Sequence, residues 1–116
     1  MRIVPHPLLG RDIVGIAEHV HAVSGDAAAA RRRIAEVRDL IAAIADKPGL
    51  GVALGEDLTG WRARHGGSGR RITVVFRHDA ADDALYVALV AFGGQDWEGR
   101  AVGRSEVGGR NFGWKV

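Results

Sequence analysis

Apolar residues recur every three or four positions in the first half of the chain and every second position in much of the second half. This change of period divides the chain into a helical part followed by a sheet-forming part. Ahead of the first helical stretch, Arg2 to Pro5 is a short apolar run closed by two prolines. It predicts an edge strand, because proline cannot donate to a ladder. Leu9, Ile13, Ile16, Val20 and Val23 then fall on one stripe of an amphipathic helix. Ser24-Gly25-Asp26 interrupts that stripe. Gly25 suits a left-handed C-terminal cap, and the Asp26 carboxylate suits the N-cap of a second helix. The second helix carries Ala30, Ile34, Val37, Ile41 and Ile44 on its stripe and stops at Pro48-Gly49. The pair is an αα-hairpin with two apolar seams.

Leu50 to Gly60 is rich in glycine, has no period and reads as a loop. Beyond it, Trp61 to His65, Arg70 to Arg77 and Leu85 to Phe92 are strand-like. Gly66-Gly67-Ser68-Gly69 joins the first two, and a polar turn through Asp79, Asp82 and Asp83 joins the last two. In the middle strand Ile72, Val74 and Phe76 alternate with Arg71, Thr73, Val75 and Arg77. One face can therefore pack on the helices while the other displays guanidinium groups to solvent. The last strand is apolar on both faces and is expected at the centre of the sheet. The fold class is α+β: an N-terminal edge strand, an αα-hairpin, then a three-stranded antiparallel meander. Residues 1–98 form one domain, and 99–116, rich in glycine and arginine without periodicity, form a flexible basic tail.

Composition narrows the setting. The 116 residues contain no cysteine, which removes disulfides and thiolate metal sites and fits a reducing cytoplasm. Met1 to Pro7 lacks the apolar core of a signal peptide, and no run of apolar residues is long enough for a membrane span. Net charge is only +2, but its distribution is uneven. Leu58 to His78 holds Arg62, Arg64, Arg70, Arg71 and Arg77 and no acid, whereas Asp79 to Glu98 holds acids and no lysine or arginine. The basic block is expected to form one local binding face. His19 and His21, two apart on a helix, point in different directions, and no histidine pair has zinc-type spacing. Neither a metal nor a cofactor is implied. Gly66-Gly67-Ser68-Gly69-Arg70 lacks the Gly-Lys-Ser/Thr ending of a phosphate loop and sits between strands instead of opening a helix.

The Pro5-His6-Pro7-Leu8 lead-in to the first helix, Gly25-Asp26, Trp61-Arg62-Ala63-Arg64-His65-Gly66-Gly67, Arg71-Ile72-Thr73-Val74-Val75-Phe76-Arg77 and Leu85-Tyr86-Val87-Ala88-Leu89 running into Phe92-Gly93-Gly94-Gln95-Asp96-Trp97 together carry a resemblance. Over roughly Arg2 to Trp97 the chain resembles the RelE/ParE superfamily of toxins from type II toxin–antitoxin pairs. The resemblance implies a cytoplasmic toxin held in a hetero-oligomer by a cognate antitoxin. Its target is DNA gyrase if the chain is ParE-like, or the ribosome and messenger RNA if it is a RelE-like endoribonuclease. On the ribonuclease branch, Arg62, Arg64 and Arg71 match basic sheet positions, from which arginine would stabilise phosphate charge, with Arg64 and Arg71 the catalytic candidates and His65 the candidate general base. Arg62, Arg64, Arg70, Arg71, Arg77 and Trp97 are candidates for target or antitoxin binding. The nuclease pattern is broken after the last strand, where Gly94-Gln95-Asp96 replaces an expected basic residue, and the tail has no tyrosine or histidine. The gyrase branch is therefore favoured. A nucleic-acid-binding domain without toxicity is the third reading, against which the acid-rich block beginning at Asp79 counts.

The resemblance predicts that expression of the unaccompanied chain arrests its host and that co-expression of a small acidic partner restores growth. Colony counts with and without induction measure this, and abundant soluble wild-type protein in normally growing cells would count strongly against a toxin.

Overall fold

The computed structural model describes residues 1–105. It is an α+β fold in which strand β1 (Arg2–Pro5), helices α1 (Leu9–Ser24) and α2 (Ala27–Asp46), and strands β2 (Val52–Ala53), β3 (Arg62–Gly66), β4 (Ile72–Asp79) and β5 (Ala84–Phe92) precede a third helix, α3 (Trp97–Ser105). The strands form one five-stranded sheet in the order β1-β5-β4-β3-β2. β1 lies at an edge, parallel to β5, and the other neighbours are antiparallel.

The hairpin forms where its capping residues specify. Gly25 adopts φ 69 and its N–H donates to the His21 carbonyl, while Asp26 accepts the Ala28 N–H at 2.9 Å. These contacts satisfy backbone groups that helix ends otherwise leave without partners. The buried stripes differ slightly from the expected ones. Leu9, Asp12 and Ile16 are buried on α1, and Ala30, Val37, Leu40 and Ile44 on α2. Val23, in the last turn of α1, is 75% exposed.

Both faces of the sheet are covered. Val74, Phe76, Leu85, Val87 and Val90 pack against α1 and α2, whereas Val75, Tyr86, Ala88, Leu89 and Ala91 pack against Leu58, Trp61 and Ala101. This explains why β5 reads as continuously apolar: it has a neighbour on each side and a core above and below. One extra residue, Ala88, is accommodated in β5, because Val75 pairs with Leu89 but Phe76 pairs with Val87. The bulge turns Ala88 and Leu89 toward the same face.

Three expectations are corrected. The stretch Leu50 to Gly60 is not entirely loop, since Val52 and Ala53 add a fifth strand against Arg62 and Ala63; two residues are too few to show a period. The second sheet face is not an open guanidinium surface, because Thr73 and Val75 are buried beneath the 54–61 segment and α3, which leaves only Arg71, exposed before the strand, and Arg77, half-buried toward its end. The tail does not begin at residue 99. Residues 97–105 form a helix whose Ala101 is buried on the sheet, and the remainder of the expected tail, 106–116, lies outside the described residues.

Gly67 is the position where the backbone tolerates no side chain. It adopts φ 75, ψ −175, a region open essentially to glycine alone. A Cβ there would lie 2.8 Å from both Glu36 Oε1 and Ile72 Cδ1. Gly25 has a positive φ but open space around it. Gly67→Ala should therefore lower the unfolding free energy by about 2 kcal/mol or more, combining backbone strain with overpacking, and Gly25→Ala by about 1 kcal/mol. Urea denaturation of both variants tests the ordering, and equal losses would show that the contacts around Gly67 are easily relaxed.

Candidate functional site

Period-two geometry distributes the basic block over different surfaces. Arg62 and Arg64 pair in register with Phe76 and Val74, so they share the face that packs under α1 and α2. His65 pairs with Thr73 and Arg77 with Tyr86, which places both on the opposite face, toward α3. Arg70 and Arg71 sit in the turn before β4, where Arg70 has a positive φ of 55. The expected single arginine face is thereby corrected: a strand cannot direct consecutive residues to one side.

Each side chain has a distinct setting. Arg62 is half-buried and donates from Nη1 to the Gly51 carbonyl at 3.3 Å. Arg64 is half-buried, and its Nη1 is enclosed without an acceptor among the described residues. The guanidinium of Arg77 lies against Gly60, where an added Cβ would come within 3.3 Å of Nη1. Arg71 is exposed at the hairpin end of the sheet. His65 forms a 2.8 Å hydrogen bond between Nδ1 and Thr73 Oγ1, and its ring meets Trp97 edge-on at 6.4 Å. Trp97 thus joins the core under α3 as well as contacting the histidine.

His65, Arg64 and Arg71, the three residues that would carry ribonuclease chemistry, are not assembled. Arg64 faces the hairpin, His65 faces α3, and Arg71 stands in the turn. One imidazole nitrogen is already committed to Thr73. What these residues can do in this arrangement is bind anions at separate places on the surface.

A buried ion cluster absent from the sequence expectations lies at the far end of β5. Pairing between β1 and β5 stops at Pro5 and Val87, where the His6 N–H donates to the Val87 carbonyl and the chain turns into α1. Beyond that point Asp12 on α1 takes over. Its carboxylate, with 3% of the side chain exposed, accepts the Val90 N–H at 3.1 Å and binds Arg100 at 2.7 Å and Arg104 at 2.6 and 2.9 Å. Arg104 also donates to the Ala88 carbonyl at 2.9 Å. A buried carboxylate is tolerable because four such donors surround it. Leu8, Arg11, Gly15 and Gln95 complete a polar cleft of about 320 Å³ over this cluster. Nearby, burial, reinforced by Arg104 and opposed by Asp12, holds the His6 imidazole below its ordinary pKa.

A signal for this cluster was present in the chain. Asp12 stands three residues after Leu9 and four before Ile16, a carboxylate within an apolar stripe. Arg100 and Arg104 are one helical turn apart, as are Trp97 and Ala101. Their shared partner lies more than eighty residues earlier, and pattern alone does not supply it.

Together, these features define an α+β protein with a five-stranded mixed sheet, a helical hairpin on one face and a short helix clamped to the other. No family model matches the chain, and no curated protein matches it at a significant level. Among the described residues there is no group of three or more histidine or acidic side chains suited to a metal ion, and no helix is long and apolar enough to cross a membrane.

Replacing Asp12 with Asn keeps the shape but leaves two guanidinium groups without their counter-charge. It should destabilise the fold by about 3 to 5 kcal/mol, the usual consequence of breaking a buried ion pair on one side. Arg104→Ala should cost less, because Arg100 and the Val90 N–H still serve the carboxylate, and the double variant should lose less than the sum. Urea unfolding of the cycle measures the coupling; additive losses would mean that the two side chains act independently.

Proposed function

We propose that the chain is the toxin of a type II toxin–antitoxin pair, similar to ParE, and that it inhibits DNA gyrase without cutting RNA. Two features support the class: the motif residues quoted above, and the order of a strand, an αα-hairpin and a meander whose last strand lies beside the first. The choice of target rests on one observation, that His65 is separated from Arg62 and Arg64 by the thickness of the sheet. Cleavage of a phosphodiester needs a proton acceptor and a proton donor on opposite sides of the same phosphate. Arginine is too basic to exchange protons efficiently near neutral pH, so His65 would have to serve while remote from the guanidinium groups. Binding an enzyme–DNA complex needs only complementary shape and charge.

A cognate antitoxin would be an acidic chain that folds on the toxin surface and engages Arg62, Arg64, Arg70, Arg71 or Arg77. Those on opposite sheet faces cannot all be reached by one short segment, so an extended partner that passes around the sheet edge fits best.

Purified protein added to gyrase and supercoiled DNA is expected to accumulate cleavage complexes, and translating ribosomes with a defined message are expected to leave that message intact. His65→Ala should retain most of the toxicity. Message cleavage that disappears in His65→Ala, together with no effect on gyrase, would replace this reading with the ribonuclease one.

A further inference from the structure

A second cleft, of about 230 Å³, opens at the turn of the hairpin, where the end of α1 and the start of α2 meet the beginning of β4 and the end of β5. Val20, Val23 and Phe92 contribute apolar groups to its lining, and His19, Arg32, Arg33 and Arg71 contribute nitrogen donors. The Phe92 and His19 rings lie 6.2 Å apart at a tilt of 59°, giving the cleft an aromatic wall. Asp26 uses its carboxylate to cap α2, so recognition at this corner falls to the guanidinium groups and not to the helix terminus.

Those guanidinium groups are incompletely satisfied. Arg32 reaches Asp26 only at 3.8 Å, between two well-exposed side chains, which is a weak pairing. Arg33 binds Glu36 at 2.8 Å, yet its Nε is enclosed without an acceptor among the described residues. Folded proteins seldom leave a buried donor in that condition, and a bound water or ion often supplies the missing acceptor. Arg71 has no side-chain hydrogen bond or ion pair among the described residues. Three planar N–H forks beside an aromatic wall suit an oxyanion that several forks can share, attached to a flat ring.

We propose that this cleft binds a phosphate monoester carried on an aromatic base, the chemistry of a nucleotide, with Arg32, Arg33 and Arg71 on the phosphate and Phe92 and His19 against the base. The site stands whether or not the chain is a toxin. Its phosphate comes either from a free nucleotide or from the 5′ end of a single strand, and the same experiment distinguishes them.

The isotopically labelled full chain would be titrated with adenosine 5′-monophosphate, inorganic phosphate, adenosine and a 5′-phosphorylated dinucleotide, following the Arg33 Nε–H and the Phe92 and His19 ring resonances. Saturable shifts of all three with the monophosphate are expected, with inorganic phosphate and adenosine each weaker by about tenfold or more. Arg71→Ala, a change at an exposed side chain, should weaken the monophosphate by about tenfold or more while leaving distant amides unmoved. Phe92→Leu should weaken the monophosphate but not inorganic phosphate. Tighter binding of the dinucleotide supports a strand end as the source, and weaker binding a free nucleotide. The proposal is overturned by an absence of saturable shifts, by inorganic phosphate binding as tightly as the monophosphate, by no effect of Arg71→Ala, or by a short acidic peptide containing phenylalanine that displaces the monophosphate at lower concentration.

Discussion

The Asp12 carboxylate sits where three parts of the chain would otherwise come apart. β1 is only four residues long, and past its end the flank of β5 exposes polar backbone groups that no strand covers. Asp12 accepts the Val90 N–H, and Arg104 donates to the Ala88 carbonyl, so side chains from α1 and α3 complete what the edge strand leaves unfinished. The two arginines in turn make the buried charge tolerable. A single ion cluster thus closes the sheet, fixes α1 on one face and ties α3 to the other.

The double-sided core follows from that clamp. β5 can be apolar throughout only if both of its faces are dry, and the lower face is dry because α3 and the 54–61 segment cover it. The bulge at Ala88 suits the same arrangement, turning Ala88 and Leu89 together toward the layer that α3 completes. On the other side, Glu36 of α2 accepts the Ser68 N–H and binds Arg33, which holds the glycine-rich β3–β4 turn against the hairpin. Each face of the sheet is therefore anchored by a carboxylate placed on a helix.

These anchors shape the available chemistry. Eight of the arginines do not form one surface, because the pleat and the covering helices apportion them: Arg62 and Arg64 toward the hairpin, Arg77 toward α3, Arg71 to the corner with Arg32 and Arg33, and Arg100 and Arg104 to Asp12. The guanidinium groups are thereby dispersed over separate parts of the molecule, and two of them are spent on the buried carboxylate.

The sequence by itself determined the elements whose causes are local. Gly25 and Asp26 fixed the hairpin turn because a left-handed cap and a side-chain N-cap depend on neighbouring backbone alone. The prolines placed β1 at an edge, and the unbroken apolar run of β5 placed that strand between two others. Tertiary structure decided everything that depends on what lies across a face or at the far end of the chain. The two-residue strand β2 exists only because β3 offers it a ladder. Whether Arg64 and His65 could cooperate depended on which face each residue met. The segment that reads as the start of a basic tail became a helix because its arginines, harmful if buried alone, found Asp12, a partner that contact through space selects and proximity along the chain does not.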